Sequence, residues 1–181
     1  SVHDFEPIVH GSVARGDVDE RSDVDVFIPR VVPPYRVELA LRRRGFEVWK
    51  RELVMATPWQ LPKAHIYLDE KRSVTFPLVR PRRLELEFYY FGGAVDLNGV
   101  REDKRVPGVD KRLMLIQPTS SGHLESQIEG REAEVAKLLD VSIDVVRERV
   151  QVLGRRAEVG RTGLFIEREL ASDESFGEVF K

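Results

Sequence analysis

The residues best suited to chemistry lie near the start of the chain, where Asp23 and Asp25 are separated by one valine. The alternation of acidic and apolar residues over Asp23–Ile28 predicts a strand in which both carboxylates share one face. Two carboxylates about 7 Å apart along a strand can hold a divalent cation between them. Because hard oxygen ligands favour Mg²⁺ or Mn²⁺ over soft metals, the pair predicts a magnesium or manganese site. A surface strand with two solvated aspartates is the alternative.

A glycine and a serine precede this pair, at the end of the apolar run Pro7–Val13 that predicts another strand. Gly11 allows the backbone to approach a ligand closely, and Ser12 adds a hydroxyl group. If a helical turn begins here, its free N–H groups form an anion pocket for a triphosphate, and Arg15 adds a charged donor. Gly11, Ser12 and Arg15 are therefore the predicted nucleotide-binding residues.

A second acidic pair follows later in the chain. Glu85 and Glu87 alternate with leucine and phenylalanine over Leu84–Phe91, which predicts a strand that presents both glutamates on one face. Either glutamate would extend the aspartate pair to three carboxylates.

The early motif resembles a known signature. In order and spacing, Gly11-Ser12, Ala14-Arg15-Gly16 and Ser22–Ile28 closely resemble the signature of the DNA polymerase β-like nucleotidyltransferase superfamily. Within this superfamily, the residues and the spacing of the motif are most similar to those of archaeal CCA-adding enzymes and archaeal predicted nucleotidyltransferases. The resemblance implies a two-metal site, in which Asp23 and Asp25 bind the ions and Gly11 and Ser12 hold the β- and γ-phosphates.

The resemblance also implies a third carboxylate, commonly an aspartate, in a later strand patterned apolar-acid-apolar. It would act as a metal ligand and position the acceptor hydroxyl. Glu87 is the first choice and Glu85 the second, while Asp96 in Ala94-Val95-Asp96-Leu97 is a third candidate. A glutamate in place of the commoner aspartate leaves open a degenerate site that binds a nucleotide without transfer.

The elements around the motif predict an α+β fold. Tyr35–Arg44 has helical spacing and ends at Gly45, whereas Phe46–Leu53 and Ala64–Leu68 read as strands. We expect a mixed nucleotidyltransferase sheet with packed helices.

The periodicity of the apolar residues becomes helical from Ser120 onwards. This change divides the chain into a nucleotidyltransferase domain, 1–119, and a helical region, 120–181. Helical periodicity runs through Leu124–Leu139 and Ile143–Leu153, with a turn between them that ends in the N-cap residue Ser142. This pattern resembles a helix-turn-helix. Arg155 and Arg156, together with Gly160–Gly163 and the apolar residues that follow, predict a basic wing hairpin.

Five arginines of this region are expected to contact nucleic-acid phosphates if the winged helix-turn-helix interpretation holds. They are Arg147, Arg149, Arg155, Arg156 and Arg161. The alternative is a small helical cap on the catalytic sheet, with the arginines in solvent.

Composition limits the function classes. The chain has 181 residues with a net charge of −2, which argues against a globally basic nucleic-acid coat, although Arg42–Arg44 and other local arginine clusters can meet phosphates. With no cysteine, disulfides and thiolate chemistry are excluded, and a reducing cytoplasm is expected. No run has the length of a membrane span, so no membrane partner is expected. The sequence starts at Ser1 rather than methionine, which leaves an upstream segment open.

The sequence predicts a metal-dependent enzyme that transfers a nucleoside monophosphate from a nucleoside triphosphate to a hydroxyl acceptor, with RNA favoured, and releases pyrophosphate. One alternative is a nucleic-acid-binding regulator, for RNA or DNA, whose degenerate nucleotidyltransferase domain senses nucleotide. Another is an enzyme that nucleotidylates a protein or a small molecule. The motif fixes neither the base of the nucleotide nor the oligomeric state.

Overall fold

The structure, a computed structural model, describes residues 5–160 and 163–181. The strands are β1 (Ile8–His10), β2 (Val24–Phe27), β3 (Lys50–Met55), β4 (Lys63–Tyr67), β5 (Arg72–Pro77), β6 (Ala94–Asp96), β7 (Gly108–Val109), β8 (Met114–Thr119), β9 (Gly122–Gln127) and β10 (Ile166–Glu169). The helices are α1 (Ser12–Arg15), α2 (Pro34–Arg43), α3 (Arg83–Phe91), α4 (Leu97–Arg101), α5 (Glu132–Leu139), α6 (Ile143–Val159) and α7 (Phe176–Val179).

The chain forms two compact units. The described parts of unit 1 are residues 5–8, 24–81 and 163–181, and those of unit 2 are residues 9–23 and 82–160. Each unit has its own buried apolar cluster. The predicted domain boundary at 119/120 lies in the turn of the β8–β9 hairpin, so the compact units follow a different division.

Unit 1 contains a mixed sheet with the strand order β10-β3-β4-β5-β2. The strands β2 and β5 are parallel, and the other pairs are antiparallel. Alternate residues of a strand point to opposite faces, and one face carries apolar side chains such as Ile66 and Phe76. They form a core with Val37 of α2 and Phe176 of α7. The other face carries the polar side chains described below.

Local sequence signals explain the helix α2 of unit 1. Pro34 occupies the first turn of α2, where a missing N–H costs nothing. Val37 is buried in the core, and Ala40 and Leu41 pack against it. Gly45 follows at φ +80°, a conformation that favours glycine. The predicted helix is confirmed, whereas the predicted strand Phe46–Leu53 begins later, at Lys50.

Unit 2 combines short strands with helices. The strand β1 neighbours β6, and β7, β8 and β9 form an antiparallel sheet. Its core joins residues of α3, α5 and α6 to the small sheet. These residues are Phe91, Val109, Leu115, Ile128, Val135, Ala136, Val145 and Val146.

The predicted strand Leu84–Phe91 is wrong, because this segment forms the helix α3. At its start, the backbone N–H of Arg82 donates to Glu85 Oε2 at 2.7 Å, which satisfies a group near the helix end. One turn on, Arg83 and Glu87 form an i,i+4 ion pair at 2.9 Å. These local contacts are available only to a helix, while the alternating leucines and glutamates suit either structure.

The C-terminal prediction is partly confirmed. Both predicted helices exist, Asp140 adopts the left-handed conformation between them, and the Ser142 hydroxyl caps α6 by accepting from Val145 N–H. However, the start of the predicted first helix is strand β9. The predicted wing is not confirmed, because Arg155 and Arg156 lie within α6 and β10 pairs with β3 in unit 1. Arg161 and Thr162 of the predicted wing lie outside the residues that the structure describes.

Within the described part of the chain, no helix is both long and apolar enough to cross a lipid bilayer.

Candidate active site

The central contact of unit 1 joins Asp25 on β2 to Ser73 on the parallel neighbour β5. The two residues are register partners, and the Ser73 hydroxyl donates to Asp25 Oδ1 at 2.7 Å. Ser73 is buried, so this bond fixes the direction of the Asp25 carboxylate while leaving its second oxygen available. The strand pairing thus gives Asp25 a defined orientation at the start of β2.

A histidine continues the polar face beside Ser73. His65 Nδ1 and the Thr75 hydroxyl are 3.0 Å apart, and the two residues are register partners on β4 and β5. Burial, reinforced by the charge of Lys63, lowers the pKa of His65 to about 4. His65 is therefore neutral at pH 7, and its ring contributes hydrogen bonding rather than positive charge.

A buried glutamate closes the polar face on β3. Glu52 forms an ion pair with Lys50, and its hydrogen bond raises the pKa of that lysine. Burial and the neighbouring Glu52 carboxylate raise the pKa of Tyr67, so its phenol stays protonated at neutral pH. Because Glu52 is already bound to Lys50 and Tyr67, it contributes structure to this face.

Asp23 has a different environment from Asp25. It precedes β2 by one residue and is exposed. Among the residues that the structure describes, none donates a hydrogen bond to Asp23 or pairs with it. Its carboxylate is therefore accessible to solvent, and its role as a metal ligand stays a prediction.

In unit 2, Gly11 and Ser12 form the turn from β1 into α1. Gly11 has φ +81° and ψ −146°, a backbone conformation that side-chain-bearing residues rarely adopt, and a Cβ there would meet nothing within 4 Å. Its N–H donates to the Gly93 carbonyl at 2.9 Å. Glycine is thus required by the turn geometry and not by lack of space. No side chain caps the start of α1.

Arg15 is placed differently from its predicted role as a phosphate donor. The residue is only 6% exposed. Its Nε and Nη2 bind the Asp17 carboxylate at 3.0 and 3.1 Å, and its Nη1 donates to the Gly92 carbonyl at 2.7 Å. The guanidinium group is therefore committed to contacts within unit 2.

The three candidates for a third carboxylate all make contacts that hold helices. Glu87 lies on α3, where it binds Arg83 and both the backbone N–H and the hydroxyl of Ser142. Glu85 binds Arg82 at the start of the same helix. Asp96 ends β6 and accepts from Gly99 N–H at 2.7 Å as the N-cap of α4. None of the three lies in the middle of a strand.

The arginines predicted to meet nucleic acid lie mainly on α6. Arg147, Arg155 and Arg156 are exposed. Arg149 instead lies over the Phe88 ring at 4.9 Å, where burial and the nearby Arg156 lower its pKa. Arg161 falls outside the residues that the structure describes.

Sequence reasoning did not identify Ser73, Thr75, His65, Glu52 or Tyr67. A signal was present, because polar residues alternate with Ala64 and Ile66 on β4 and with Val74 and Phe76 on β5. The pairing that brings Ser73 to Asp25, however, joins residues far apart in sequence.

The donor set fits a divalent cation only in part. An Asp-x-Asp pair beside a serine hydroxyl suits Mg²⁺, which is commonly bound by one or two carboxylates together with substrate phosphates and water. No group of three or more histidine, aspartate or glutamate side chains suited to a metal occurs in residues 5–160 and 163–181. On β5, the residues that share the face of Asp25 are Ser73 and Thr75, which carry hydroxyl groups and no carboxylate. The third carboxylate that the resemblance implies is therefore not found on β5 beside Asp25.

Comparison with known proteins agrees with this geometry. Residues 2–82 match the family model of the nucleotidyltransferase domain. The predicted superfamily is confirmed for that range, which includes Gly11, Ser12, Asp23, Asp25 and Ser73. The mixed sheet of unit 1 is consistent with a nucleotidyltransferase fold.

The nucleotidyltransferase match ends at residue 82, before Glu85, Glu87 and Asp96. No curated protein and no solved structure matches the chain. The finer resemblance to archaeal CCA-adding enzymes therefore stays a prediction.

Proposed function

We propose that the protein transfers a nucleoside monophosphate from a nucleoside triphosphate to a hydroxyl group of an RNA acceptor. The observation that carries this proposal is the oriented Asp25 carboxylate, bonded to Ser73, within a range that matches the nucleotidyltransferase domain. The match of residues 2–82 to the nucleotidyltransferase domain supports general transfer of a nucleotide. The RNA acceptor and the dependence on Mg²⁺ or Mn²⁺ are our inference.

In this mechanism, Asp23 and Asp25 hold a divalent cation and Gly11 and Ser12 bind the terminal phosphates. The cation, when bound, neutralises charge that develops on the phosphate oxygens. The acceptor oxygen forms a bond to the α-phosphorus, the bond to the pyrophosphate oxygen breaks, and the hydroxyl proton passes to water. Ser73 keeps one Asp25 oxygen occupied, so that the other is directed to the ligand.

A second function is favoured by a specific observation. Glu85 and Glu87, the first predictions for a third carboxylate, lie on α3, and β5, which pairs with β2 at Asp25, carries Ser73 and Thr75. A site with two carboxylates retains nucleotide binding more readily than transfer, because no third group positions the acceptor hydroxyl. The alternative is therefore a domain that senses a nucleotide and regulates binding of nucleic acid. Nucleotidylation of a protein or a small molecule is a third function, which the transfer assay below distinguishes from transfer to RNA.

Metal-dependent binding is tested first by thermal unfolding with each of the four nucleoside triphosphates, with and without Mg²⁺ or Mn²⁺. A ligand that binds only the folded state raises the melting temperature by mass action. We expect a metal-dependent rise for the wild type and none for Asp25→Asn. Asp140→Asn is the matched control, because Asp140 is exposed and left-handed, a conformation that asparagine also accepts.

Transfer is tested next with an α-labelled nucleoside triphosphate and a single-stranded RNA oligonucleotide. Labelled RNA with equimolar pyrophosphate supports the enzyme. Binding without labelled RNA, protein or small molecule supports the sensor. If no nucleotide raises the melting temperature in a metal-dependent way, both functions are contradicted.

A further inference from the structure

A segment rich in arginine and aromatic residues joins α2 to β3. We call residues 42–49 the basic-aromatic segment; it contains Arg42, Arg43, Arg44, Phe46 and Trp49. The helix α2 ends at Arg43, and β3 begins at Lys50. Three cationic side chains and two rings thus lie in the last turn of α2 and in the connection that follows it.

The two rings are not used by the core. Phe46 is 40% and Trp49 is 58% exposed, whereas Leu41, just before the segment, and Val48, between the two rings, pack against the core of unit 1. Single exposed apolar residues are common on protein surfaces, but two exposed rings close to three arginines form a surface that a ligand can cover. The segment therefore presents apolar surface outside the core of unit 1.

The arginines are largely free of acidic partners. Arg42 lies 4.0 Å from Glu38, and because this distance is long and the arginine side chain is exposed, the pair contributes little. Among the described residues, neither Arg43 nor Arg44 forms an ion pair or a side-chain hydrogen bond. One acidic residue, Glu47, interrupts the segment. The local charge is positive although the whole chain carries −2.

A row of register partners connects this segment to Asp25. Lys50, Tyr67, Ser73 and Asp25 lie opposite one another across β3, β4, β5 and β2. With neighbouring strands about 4.8 Å apart, the row spans about 14 Å. Next to it, the backbone N–H of Trp49 donates to the Tyr67 carbonyl at 2.9 Å.

Lys50 links the rings at the segment end of this row. Its Nζ lies 4.9 Å from the centre of the Tyr67 ring and 5.9 Å from that of Trp49. Lys50 is also paired with Glu52, so we expect it to hold Tyr67 and Trp49 in place rather than to bind phosphate. The surface from Trp49 to Asp25 is therefore ordered by contacts on adjacent strands.

The combination of arginines and exposed rings matches one class of ligand. Single-stranded nucleic acid has phosphates for the arginines and unpaired bases that stack on aromatic rings. A duplex keeps its bases stacked on one another and offers these rings no such face. Single-stranded RNA is also the form in which a terminal hydroxyl group is accessible.

We propose that the basic-aromatic segment binds the single-stranded 3′ end of an RNA acceptor and directs it along the row towards Asp25. The direction towards Asp25 rests on the proposed nucleotidyl transfer. The binding surface itself rests on the exposed rings and arginines of unit 1. It places the main contact with nucleic acid on this segment and not on α6.

The proposal is tested by fluorescence anisotropy with a labelled single-stranded RNA of 12 nucleotides, chosen to cover about one binding site. We expect Trp49→Ala to weaken binding by about tenfold, since stacking of a base on an aromatic ring contributes strongly to affinity. Trp49→Phe keeps a ring and should retain most of the affinity. This pair separates loss of stacking from loss of folding.

Trp59 provides a matched control in the same unit. It is 82% exposed and lies in the connection between β3 and β4, so a six-residue strand, about 20 Å long, separates it from Trp49. We expect Trp59→Ala to leave RNA affinity unchanged. Because the chain has two tryptophans, Trp59→Phe also leaves Trp49 as a single fluorophore that RNA should quench.

The contribution of charge is tested by comparing two double variants. Arg43→Glu/Arg44→Glu should weaken binding at least tenfold and reduce its dependence on salt. Arg155→Glu/Arg156→Glu on α6 makes the same charge change and should have less than a threefold effect. The reverse ranking would overturn the proposal in favour of α6.

Other outcomes also contradict the inference. Equal affinity for duplex RNA, an unchanged affinity of Trp49→Ala, or a Trp49-dependent dimer that excludes RNA would each overturn it. Nucleotide binding by the Trp49 variants is measured in parallel by metal-dependent thermal shift. If nucleotide transfer succeeds while Trp49 has no role, only this inference fails. If Trp49 contributes to RNA binding while Asp25→Asn leaves the metal-dependent thermal shift with nucleotide unchanged, the proposed transfer fails and the proposed binding surface remains.

Discussion

Glu87 on α3 is joined to Ser142, the N-cap of α6, by two hydrogen bonds. The backbone N–H of Ser142 donates to Glu87 Oε1 at 3.2 Å, and the Ser142 hydroxyl donates to Oε2. Burial alone would raise the pKa of Glu87, but the bonds from Ser142 and Arg83 outweigh it and hold the pKa below its ordinary value. A carboxylate at the start of a helix also interacts favourably with the helix dipole.

This arrangement predicts that Glu87 stabilises unit 2. We expect Glu87→Ala to lower the free energy of unfolding by about 2 kcal/mol, because hydrogen bonds to a charged group are lost and the Ser142 donors are left unpaired. Glu87→Gln, which keeps an acceptor, should have a smaller effect. Denaturation by urea measures both values. Glu134→Ala is the control, since its pair with Arg131 is exposed.

The same variants test the predicted role of Glu87 as a metal ligand. If Glu87 only stabilises the helices, Glu87→Gln should keep the metal-dependent thermal shift with nucleotide. Loss of that shift in a folded Glu87→Gln protein would restore Glu87 to the metal site.

Arg15 is also expected to stabilise the folded protein. Arg15→Ala leaves the Asp17 carboxylate, which is only 13% exposed, without its partner, and breaking a buried pair in this way costs about 3–5 kcal/mol. Arg21→Ala, which removes the exposed pair with Asp19, should leave the stability close to that of the wild type. Thermal unfolding compares the two. An Arg15→Ala protein of near wild-type stability that fails to bind nucleotide would instead support a phosphate contact.

Local sequence signals were enough for several elements. The Asp23–Ile28 alternation predicted β2, the proline start and Gly45 predicted α2, and Ser142 predicted the start of α6. In each case the determining contacts lie within a few residues of one another. The carboxylate pair and the glycine turn were found for the same reason.

Two other parts could not be predicted from the alternation of apolar and polar residues alone. The alternation of leucine and glutamate in residues 84–88 suits a strand or a helix, and capping by Glu85 together with the Glu87–Ser142 contact favours the helix. The neighbour of Asp25 is set by the pairing of β2 with β5, across 48 positions. Ser73 could therefore be recognised only once the sheet was known.

The hydroxyl at position 73 predicts a weak metal site that a single substitution should strengthen. Ser73→Asp adds a carboxylate beside Asp25, and an additional anionic oxygen ligand should increase Mn²⁺ affinity by about tenfold. Without metal, the two carboxylates repel each other and the protein should be less stable than the wild type. Calorimetric titration with Mn²⁺ and thermal unfolding measure these effects.

Ser73→Asn is the control for this substitution, because it has nearly the same size and no charge. It should show neither the increase in Mn²⁺ affinity nor the rise of melting temperature on adding Mn²⁺. If both variants bind Mn²⁺ as the wild type does, Asp25 is not part of the metal site.

His65 makes the stability of unit 1 depend on pH. Its pKa falls from 6.5, the ordinary value, to about 4 in the folded protein because of burial. Between these two values the unfolded chain binds a proton that the folded protein does not, so stability decreases as the pH falls through this window. At about 1.4 kcal/mol for each pH unit, acidification from pH 7 to pH 4 removes about 3 kcal/mol.

This dependence is measured by urea denaturation between pH 7.5 and pH 4.5 for the wild type and His65→Gln. The glutamine keeps a polar group near Thr75 but does not titrate, so the difference in unfolding free energy between the two proteins should shrink, or reverse in sign, as the pH falls. The other titratable groups are present in both proteins, so their contributions to the pH dependence largely cancel. His123→Gln, on the exposed strand β9, tests whether any histidine gives the same result. A parallel pH profile for the wild type and His65→Gln would show that His65 is not buried as a neutral ring.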